Sequence, residues 1–190
     1  MRLKDLAKSL AGYAFGKYQL IRLYCKTLDG DAADASGTLE CREIKDLNVI
    51  HELGTEEIKN HAWYGAQGQG AFGYGIIQDQ KLVCTCWYWT KEDRRLPARF
   101  FSNLQDSDAV MVDLLTSESA RGRGYASALI RYSEQKLKEA GFRRLLTWVW
   151  HSNNPSIRTF EKSGWKYTGF LIEVQPFRTS RRIQIRLRPR

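Results

Sequence analysis

The chain has 190 residues, of which 43% are hydrophobic and 27% charged, a composition typical of a globular domain large enough to bury a core. No apolar run approaches the roughly 18 residues that a membrane-spanning helix needs, and lysines interrupt the N-terminal stretch where a signal peptide would be apolar, so the sequence predicts a cytoplasmic protein. The net charge of +9 lies mainly in residues 1–26 and 181–190. The nearly neutral body between them argues against nucleic-acid binding.

At the N-terminus, residues 3–24 carry apolar side chains at helical spacing, which predicts one or two amphipathic helices. A polar linker follows and ends at residue 37. We therefore divide the chain into an N-terminal helical extension and linker, 1–37, and a second domain, 38–190. The extension either covers part of the core, which we favour, or contacts a partner or membrane surface; its positive charge would give weak attraction to an anionic membrane.

The next elements alternate between strands and helices. A strand is predicted over 38–44 and a helical stretch over 45–60, broken near Gly54. Two β-branched and aromatic stretches then form a hairpin around Asp79 and Gln80, and a charged connection over 91–103 follows.

The centre of the sequence is a strand over 110–115 that leads into Arg121-Gly-Arg-Gly124 and then into an amphipathic helix ending before Gly141. Glycines let the backbone approach a ligand, and a helix start presents unpaired N–H groups to an anion. This turn therefore suits a pyrophosphate. The alternative is a tight turn with exposed arginines, since neither the dinucleotide nor the P-loop fingerprint is present.

The C-terminal part contains a strand over 142–150, a short helix with Asn154 as the expected N-cap and Pro155 at its first position, and two last strands over 165–174 and 180–187. A hairpin followed by strands that alternate with helices predicts an α+β domain of three layers. The four cysteines and three histidines lack the spacing of a zinc site, so reduced thiols and no metal are expected.

Two motifs in this part of the chain are separated by about thirty residues. The first is Arg121-Gly-Arg-Gly124-Tyr-Ala126, which fits the pattern Q/R-x-x-G-x-G/A. The second is similar to N-x-x-A-I-x-x-Y-x-x-x-G-F, with Ser, Phe and Trp in place of its Ala, Tyr and last Phe, and consists of Asn153, Ser156, Ile157, Phe160, Gly164 and Trp165. Together they resemble the GNAT superfamily of acyl-CoA-dependent N-acyltransferases, over roughly 38–175. The resemblance implies a mixed, mostly antiparallel central sheet with a splayed strand pair and flanking helices.

The resemblance also implies acetyl-CoA, or another acyl-CoA, as co-substrate. The backbone of 121–126 would bind the pyrophosphate, and the backbone of Leu114 and Thr116 would bind the pantetheine arm. The N–H near Leu114 would polarise the thioester carbonyl, and Asn153 would contact the cofactor arm or cap its helix. The expected binding residues are Leu114, Leu115, Thr116, Arg121, Gly122, Arg123, Gly124, Tyr125, Ala126, Asn153, Ser156 and Phe160.

For catalysis, Asp113 is the candidate general base because it adjoins the strand segment that would bind the thioester, and Glu118 is a weaker candidate. Phe160 occupies the position of a Tyr in many family members and cannot donate a proton. The acid is therefore left open among Tyr125, Tyr132, water and unassisted departure of the thiolate.

The acceptor site is expected opposite the cofactor, between 45–70, 91–107 and the last two strands. Four tryptophans either line this site or, as we favour, pack between sheet and helices. They are Trp87, Trp89, Trp148 and Trp150.

The predicted function is transfer of an acetyl or other acyl group from acyl-CoA to a primary amine of a small molecule. A protein N-terminus or lysine is an alternative acceptor. An idle acyl-CoA-binding or regulatory module and a basic surface-binding protein are alternative functions. The acceptor, the acyl chain length and the oligomeric state do not follow from the sequence.

Overall fold

The structure, a computed structural model, describes residues 17–29, 39–61, 70–93, 95–96, 101, 103–175 and 182–188. Their strands form one sheet in the order β2-β3-β4-β5-β6-β1-β7-β8. The strands are β1 (Lys17–Thr27), β2 (Glu40–Glu43), β3 (Ala71–Gln78), β4 (Lys81–Trp89), β5 (Asp108–Thr116), β6 (Arg144–Trp150), β7 (Lys166–Gln175) and β8 (Ile183–Leu187). The helices are α1 (Asn48–Leu53), α2 (Glu56–His61), α3 (Tyr125–Glu139) and α4 (Asn154–Lys162), and a 3₁₀ turn covers Glu118–Ala120.

The sheet is mixed but mostly antiparallel, because β5 and β6 are parallel while the other neighbouring strands described here pair antiparallel. Helices α3 and α4 bury Leu129, Ile130 and Ile157 in one core cluster. Helices α1 and α2 bury Ile50 and Ile58 in a second cluster. Helices therefore flank the sheet, and the predicted α+β class is confirmed.

Strand β1 corrects the prediction of helix over 3–24. Lys17–Thr27 lies inside the sheet, antiparallel to β6 on one side and β7 on the other, with Ile21 opposite both Trp150 and Leu171. Ile21 and Leu23 are 0% and 1% exposed, so their period-two spacing, rather than the helical spacing, determines which side chains are buried. The boundary drawn at residue 37 thus separates a strand from its own sheet. Residues 1–16 of the predicted extension lie outside the described residues.

A buried ionic network holds β1 against the helices. Lys26 donates from Nζ to Glu134 Oε2 of α3 and to the Ser163 carbonyl, at 2.7 Å in each case. Trp165 Nε1 donates to the other Glu134 oxygen at 2.8 Å. Burial raises the pKa of the Glu134 carboxyl, and the neighbouring ammonium opposes that rise. The network joins β1, α3 and the turn after α4, so the inserted strand is fixed to both helices of that face.

Several local predictions are confirmed. The helical stretch is broken at Gly54, the hairpin turn places Asp79 and Gln80 at φ 50° and 60°, and Gly141 follows α3 at φ 93°. The N-cap of α4 is one residue earlier than predicted. Asn153, not Asn154, accepts the Ser156 N–H at 3.3 Å, because its side chain lies three residues before that donor.

Candidate functional site

The parallel pair of β5 and β6 separates halfway along its length. Pairing runs from Asp108 opposite Arg144 to Met111 opposite Thr147 and then stops, although both strands continue. The β4–β5 register shifts at the same point, leaving Val112 as an extra residue. Such a bulge bends the strand that carries it, so β5 turns away from β6 at Val112. This gap is the splayed strand pair that the resemblance implied.

Side chains fix the paired part of these two strands. Arg144 donates two hydrogen bonds to the Asp108 carboxylate, at 2.9 and 2.5 Å, and that carboxylate is 1% exposed. Where pairing ends, Thr147 Oγ1 donates to the Met111 carbonyl at 2.9 Å, so this last carbonyl keeps a partner. Beyond Thr147, β6 stays paired with β1 on its other side. The gap therefore results from the bend in β5, because β6 keeps its place beside β1.

The open edge of β5 presents backbone groups to the gap. Ser117 donates its N–H to the Val83 carbonyl of β4 at 2.9 Å. Backbone groups alternate in direction along a strand, so those of Leu114 and Thr116 point away from β4 and into the gap. The Thr116 carbonyl accepts a hydrogen bond from Arg121 Nε at 3.2 Å, and the Leu114 groups remain directed at the opening.

The turn after β5 forms an anion-binding shape. Gly122 and Gly124 have φ of 78° and 81°, and a Cβ on either would meet open space. Gly124 is the N-cap of α3 and supplies no side-chain cap, so the N–H groups of the first turn face that space. A side chain at Gly122 or Gly124 would both strain the backbone and project towards an approaching ligand.

A groove of about 600 Å³ joins the open strand to this turn and to the start of α4. It is lined by Leu114, Leu115, Thr116, Ala120, Arg121, Gly122, Gly124, Tyr125, Ala126, Ser127, Asn153, Pro155, Ser156, Arg158, Thr159 and Lys162. Arg121, Arg158 and Lys162 give it positive charge. The groove thus fits an elongated molecule that carries phosphates at one end and a neutral arm at the other.

Helix α2 fixes the turn from the other face of the sheet. Thr55 and Ser117 share a hydrogen bond of 2.6 Å between their hydroxyls, and Glu57 Oε2 accepts the Glu118 N–H at 2.9 Å. Both contacts join the first turn of α2 to the residues between β5 and the glycines. The position of α2 is therefore tied to the groove.

Ten of the twelve binding residues predicted from the sequence line the groove. Arg123 is exposed and does not line it. Phe160 is also elsewhere: it is 3% exposed, its ring centroid lies 6.1 Å from that of Tyr24 and 5.1 Å from that of Trp165, and it belongs to the core. Phe160 shares the inward face of α4 with Ile157, which is why it packs on the sheet.

Asp113 lies on the opposite face of the sheet from α3, opposite Trp87 of β4. A Cβ on Gly73 would fall 2.2 Å from the Trp87 ring, so the ring lies over β3. His61, at the end of α2, brings Nε2 to 3.4 Å from Asp113 Oδ1. No sequence pattern predicted this contact, because His61 and Asp113 are far apart in the chain and belong to no shared motif.

Burial raises the pKa of the Asp113 carboxyl above its ordinary value. The nearby charge of His61 and the Leu114 backbone N–H oppose that rise. The carboxyl side chain is 14% exposed, against 56% for His61. Asp113 is therefore a sheltered acid whose neighbour is open to solvent.

The two tyrosines considered as acids differ in position. Tyr125 lines the groove and is 7% exposed. Tyr132 packs edge-on against Tyr74 at 6.0 Å, away from the groove lining, and burial raises the pKa of its hydroxyl. The geometry therefore favours Tyr125 over Tyr132 as a group near a bound ligand.

A second cavity of about 310 Å³ adjoins Trp87, near the start of α1. Trp89 is buried and Trp148 packs against Phe101 at 6.1 Å, so these two rings serve the core, whereas Trp150 is 45% exposed. The last two strands do not border the gap as expected, because β1 stands between β6 and β7.

The described residues hold no group of three or more His, Cys, Asp or Glu side chains placed to bind a metal ion. Of the helices they form, none has the length and apolar character needed to cross a membrane.

Solved structures with the same fold have low sequence identity to this chain. A GNAT-family protein from Novosphingobium aromaticivorans is 16% identical, with a TM-score of 0.59 over 83% of this chain and 64% of its own. A GCN5-related N-acetyltransferase from Sphaerobacter thermophilus is 14% identical, with a TM-score of 0.55 over 98% of this chain and 57% of its own. One from Kribbella flavida is 14% identical, with a TM-score of 0.53 over 91% of this chain and 64% of its own.

The chain thus spans less than two thirds of the length of these three relatives. No curated protein matched the sequence. The profile described as the acetyltransferase (GNAT) family matches residues 39–165, which include both motifs and the open strand. This chain therefore belongs to the GNAT acetyltransferase family.

Proposed function

We propose that this protein is an N-acyltransferase that moves an acetyl or other acyl group from acyl-CoA to a primary amine of a small molecule. The observation that carries the proposal is the continuity of the groove. The open backbone of Leu114 and Thr116 leads directly to the uncapped start of α3 at Gly124. A ligand with a neutral arm followed by a pyrophosphate would place the arm along the open strand and the pyrophosphate at the helix start.

The residues present fit coenzyme A. The N–H groups at the start of α3 would hold the pyrophosphate, with Arg121 beside them, and Arg158 and Lys162 supply charge for a further phosphate. Leu114 and Thr116 would pair with the amides of the arm, as a neighbouring strand would. Asn153 is occupied in capping α4, so its contribution is to place that helix at the groove.

An acyl-CoA would supply an acyl group activated as a thioester. For its transfer, the chain must lower the cost of charge on the carbonyl oxygen, accept a proton from the amine and let the sulfur leave. A backbone N–H near Leu114, on the open edge of β5, would donate to that oxygen. Asp113, one residue earlier, lies beyond the sheet from α3, on the side where the amine would enter. Phe160 is buried, so the thiolate would leave unassisted or by way of Tyr125 or water.

The small-molecule acceptor remains the preferred class, with a protein amine as the alternative. A cavity of about 310 Å³ lies between the segment that leads into α1 and strands β3 and β4, and its size suits a small molecule. A cytoplasmic location follows from the use of an intracellular metabolite as acyl donor.

Coenzyme A binding is tested with two matched glycine substitutions at the two ends of α3. Gly124→Ala and Gly141→Ala both place a side chain at positive φ in open space, and each should cost about 1–2 kcal/mol of stability. Only Gly124→Ala should weaken coenzyme A binding, by about tenfold or about 1.4 kcal/mol, as measured by calorimetry. Equal affinities for the two variants would place the ligand away from this turn.

Turnover is tested by release of coenzyme A thiol from acetyl-CoA with glucosamine, spermidine and lysine as amines. Turnover of at least one amine, with N-acetylated product found by mass spectrometry, is the expected result. Tight acetyl-CoA binding without turnover, across these amines and longer acyl chains, would instead favour the idle binding module.

A further inference from the structure

We propose that His61 is the general base of this enzyme and that Asp113 acts as its positioning residue. The proposal rests on the proposed function and changes the assignment of its base. Nothing in the sequence motifs points to His61, which lies before the first motif and on a different element.

The first argument is geometric. His61 is the last residue of α2. The start of α2 is bonded to the end of β5 through Thr55 with Ser117 and Glu57 with Glu118, next to the groove-lining Thr116. The position of the helix that carries the imidazole is therefore tied to the groove. The bulge at Val112 turns Asp113 to the same side, where its Oδ1 lies 3.4 Å from His61 Nε2.

The second argument is access. The Asp113 side chain is 14% exposed and the His61 side chain 56%, so a dissolved amine reaches the imidazole before it reaches the carboxylate. With Nε2 facing Asp113, Nδ1 is the nitrogen left for the substrate. No hydrogen bond to Nδ1 is made by any described residue.

The third argument concerns the charges around the pair. Of the described titratable side chains, His61 from α2 faces Asp113, whereas the thiols of Cys84 and Cys86 on β4 lie in the core on the α3 face of the sheet. Burial raises the pKa of Cys84 to about 12 and that of Cys86 well above its ordinary value, so both thiols are neutral near pH 7. Of the described groups around Asp113, the imidazole is thus the one placed to contact the amine.

The proton path balances as follows. The neutral amine nitrogen attacks the thioester carbon, the C–N bond forms, and Nδ1 of His61 takes the extra proton from that nitrogen. The C–S bond then breaks and the sulfur leaves with its electron pair. The carboxylate of Asp113 stabilises the imidazolium without taking the proton, which passes from His61 to solvent or to the thiolate.

The experiment compares His61→Gln with His51→Gln, a change at the exposed histidine in the last turn of α1. His61→Gln should lower kcat/KM about 100-fold for the best amine among spermidine, glucosamine and lysine, with coenzyme A affinity unchanged. Wild-type kcat/KM should rise with pH, and His61→Gln should remove this rise. His51→Gln should retain wild-type values.

A second variant separates base chemistry from a structural role. In His61→Gly, added imidazole should restore part of the lost rate, and it should not accelerate the wild type. Asp113→Asn should lower kcat less than His61→Gln does, while keeping a pH-dependent rate, because the imidazole remains.

Three results would overturn the assignment. The first is a His61→Gln enzyme within threefold of wild type while Asp113→Asn loses activity about 100-fold, which makes the carboxylate the base. The second is a His61→Gly enzyme that imidazole leaves unchanged. In both, the wild type still acetylates an amine, so the proposed function survives. A wild type that binds acetyl-CoA but acetylates none of the amines overturns both proposals.

Discussion

The two ends of the β5–β6 pair are built from the same two strands and behave in opposite ways. At one end, Asp108 and Arg144 form a buried two-bond ion pair and the parallel ladder is intact. At the other end, the ladder stops at Met111, a bulge follows, and the backbone of Leu114 and Thr116 faces a groove. This difference shows that the position of the opening is set by the Asp108–Arg144 ion pair at the closed end and by the one extra residue of the bulge in β5.

The closed end also explains why the open end is tolerated. Unpaired strand edges are costly when buried, because each N–H or carbonyl without a partner loses its hydrogen bond to water. Here the last carbonyl of the ladder receives the Thr147 hydroxyl, and the groups beyond it face the groove, where a ligand or water reaches them. The backbone hydrogen bonds between β5 and β6 are therefore missing only where a ligand can supply hydrogen bonds in their place.

The largest effect is expected from weakening the closed end. Asp108→Asn removes the charge that holds Arg144, and the loss should be about 3 kcal/mol in the free energy of unfolding, measured with urea. Asp106→Asn is the matched control, since Asp106 pairs with Lys91 at the surface and its change should leave the urea midpoint in place. Similar midpoints for both variants would show that the ion pair does not hold the strands together.

The second-largest loss of stability is expected from a change at the end of the β5–β6 pairing. Thr147→Val keeps the side-chain shape but leaves the Met111 carbonyl without its donor, which should cost about 1–2 kcal/mol. Amide hydrogen exchange at 112–116 should become faster, because the hydroxyl that joins β6 to β5 at the start of the gap is missing. Thr147→Ser keeps the hydroxyl and should resemble wild type in exchange; fast exchange in the serine variant would contradict this account.

A smaller effect is expected from restoring the tyrosine that many family members carry. Phe160→Tyr places a hydroxyl in the core between Tyr24 and Trp165 and should cost about 1 kcal/mol of stability. Turnover should not increase, because this side chain does not line the groove. An increase in kcat would show that the new hydroxyl reaches the leaving sulfur.

The smallest effect concerns the pH dependence of stability. Burial raises the pKa of Asp113 in the folded state, so the ionised form is disfavoured by folding. Its contribution is therefore most favourable below the ordinary aspartate pKa and declines as pH rises through the raised value. The stability difference between wild type and Asp113→Asn, measured by urea unfolding from pH 3 to 7, should shift against the wild type as pH rises. A difference that is constant across this range would contradict the raised pKa.

The sequence predicted the part of the site that local patterns encode. The glycine turn, the start of α3 and the cap of α4 each follow from residues within one short stretch, and ten of the predicted residues line one groove. The hairpin at Asp79 and Gln80 and the break at Gly54 are local in the same sense.

What the sequence did not predict depends on distant pairing. Lys17–Thr27 fits both a helical and an alternating apolar pattern, and only its neighbours β6 and β7 decide for the strand. Phe160 matched a binding motif, but the inward face of its helix placed it in the core. The contact of His61 with Asp113 needs the bulge and the packing of α2 together, and neither is visible in a single sequence.

The position of β1 has a consequence for biosynthesis. Arg22 on β1 reaches His151, 129 residues later, so a ribosome needs on the order of 10 s to deliver the neighbouring strand after the first one has emerged. During that interval Ile21 and Leu23, which end up fully covered, have no partners from the sheet. Chaperone dependence of the nascent chain should therefore be concentrated in β1, and slow refolding is expected in vitro because β1 pairs only with strands distant in sequence.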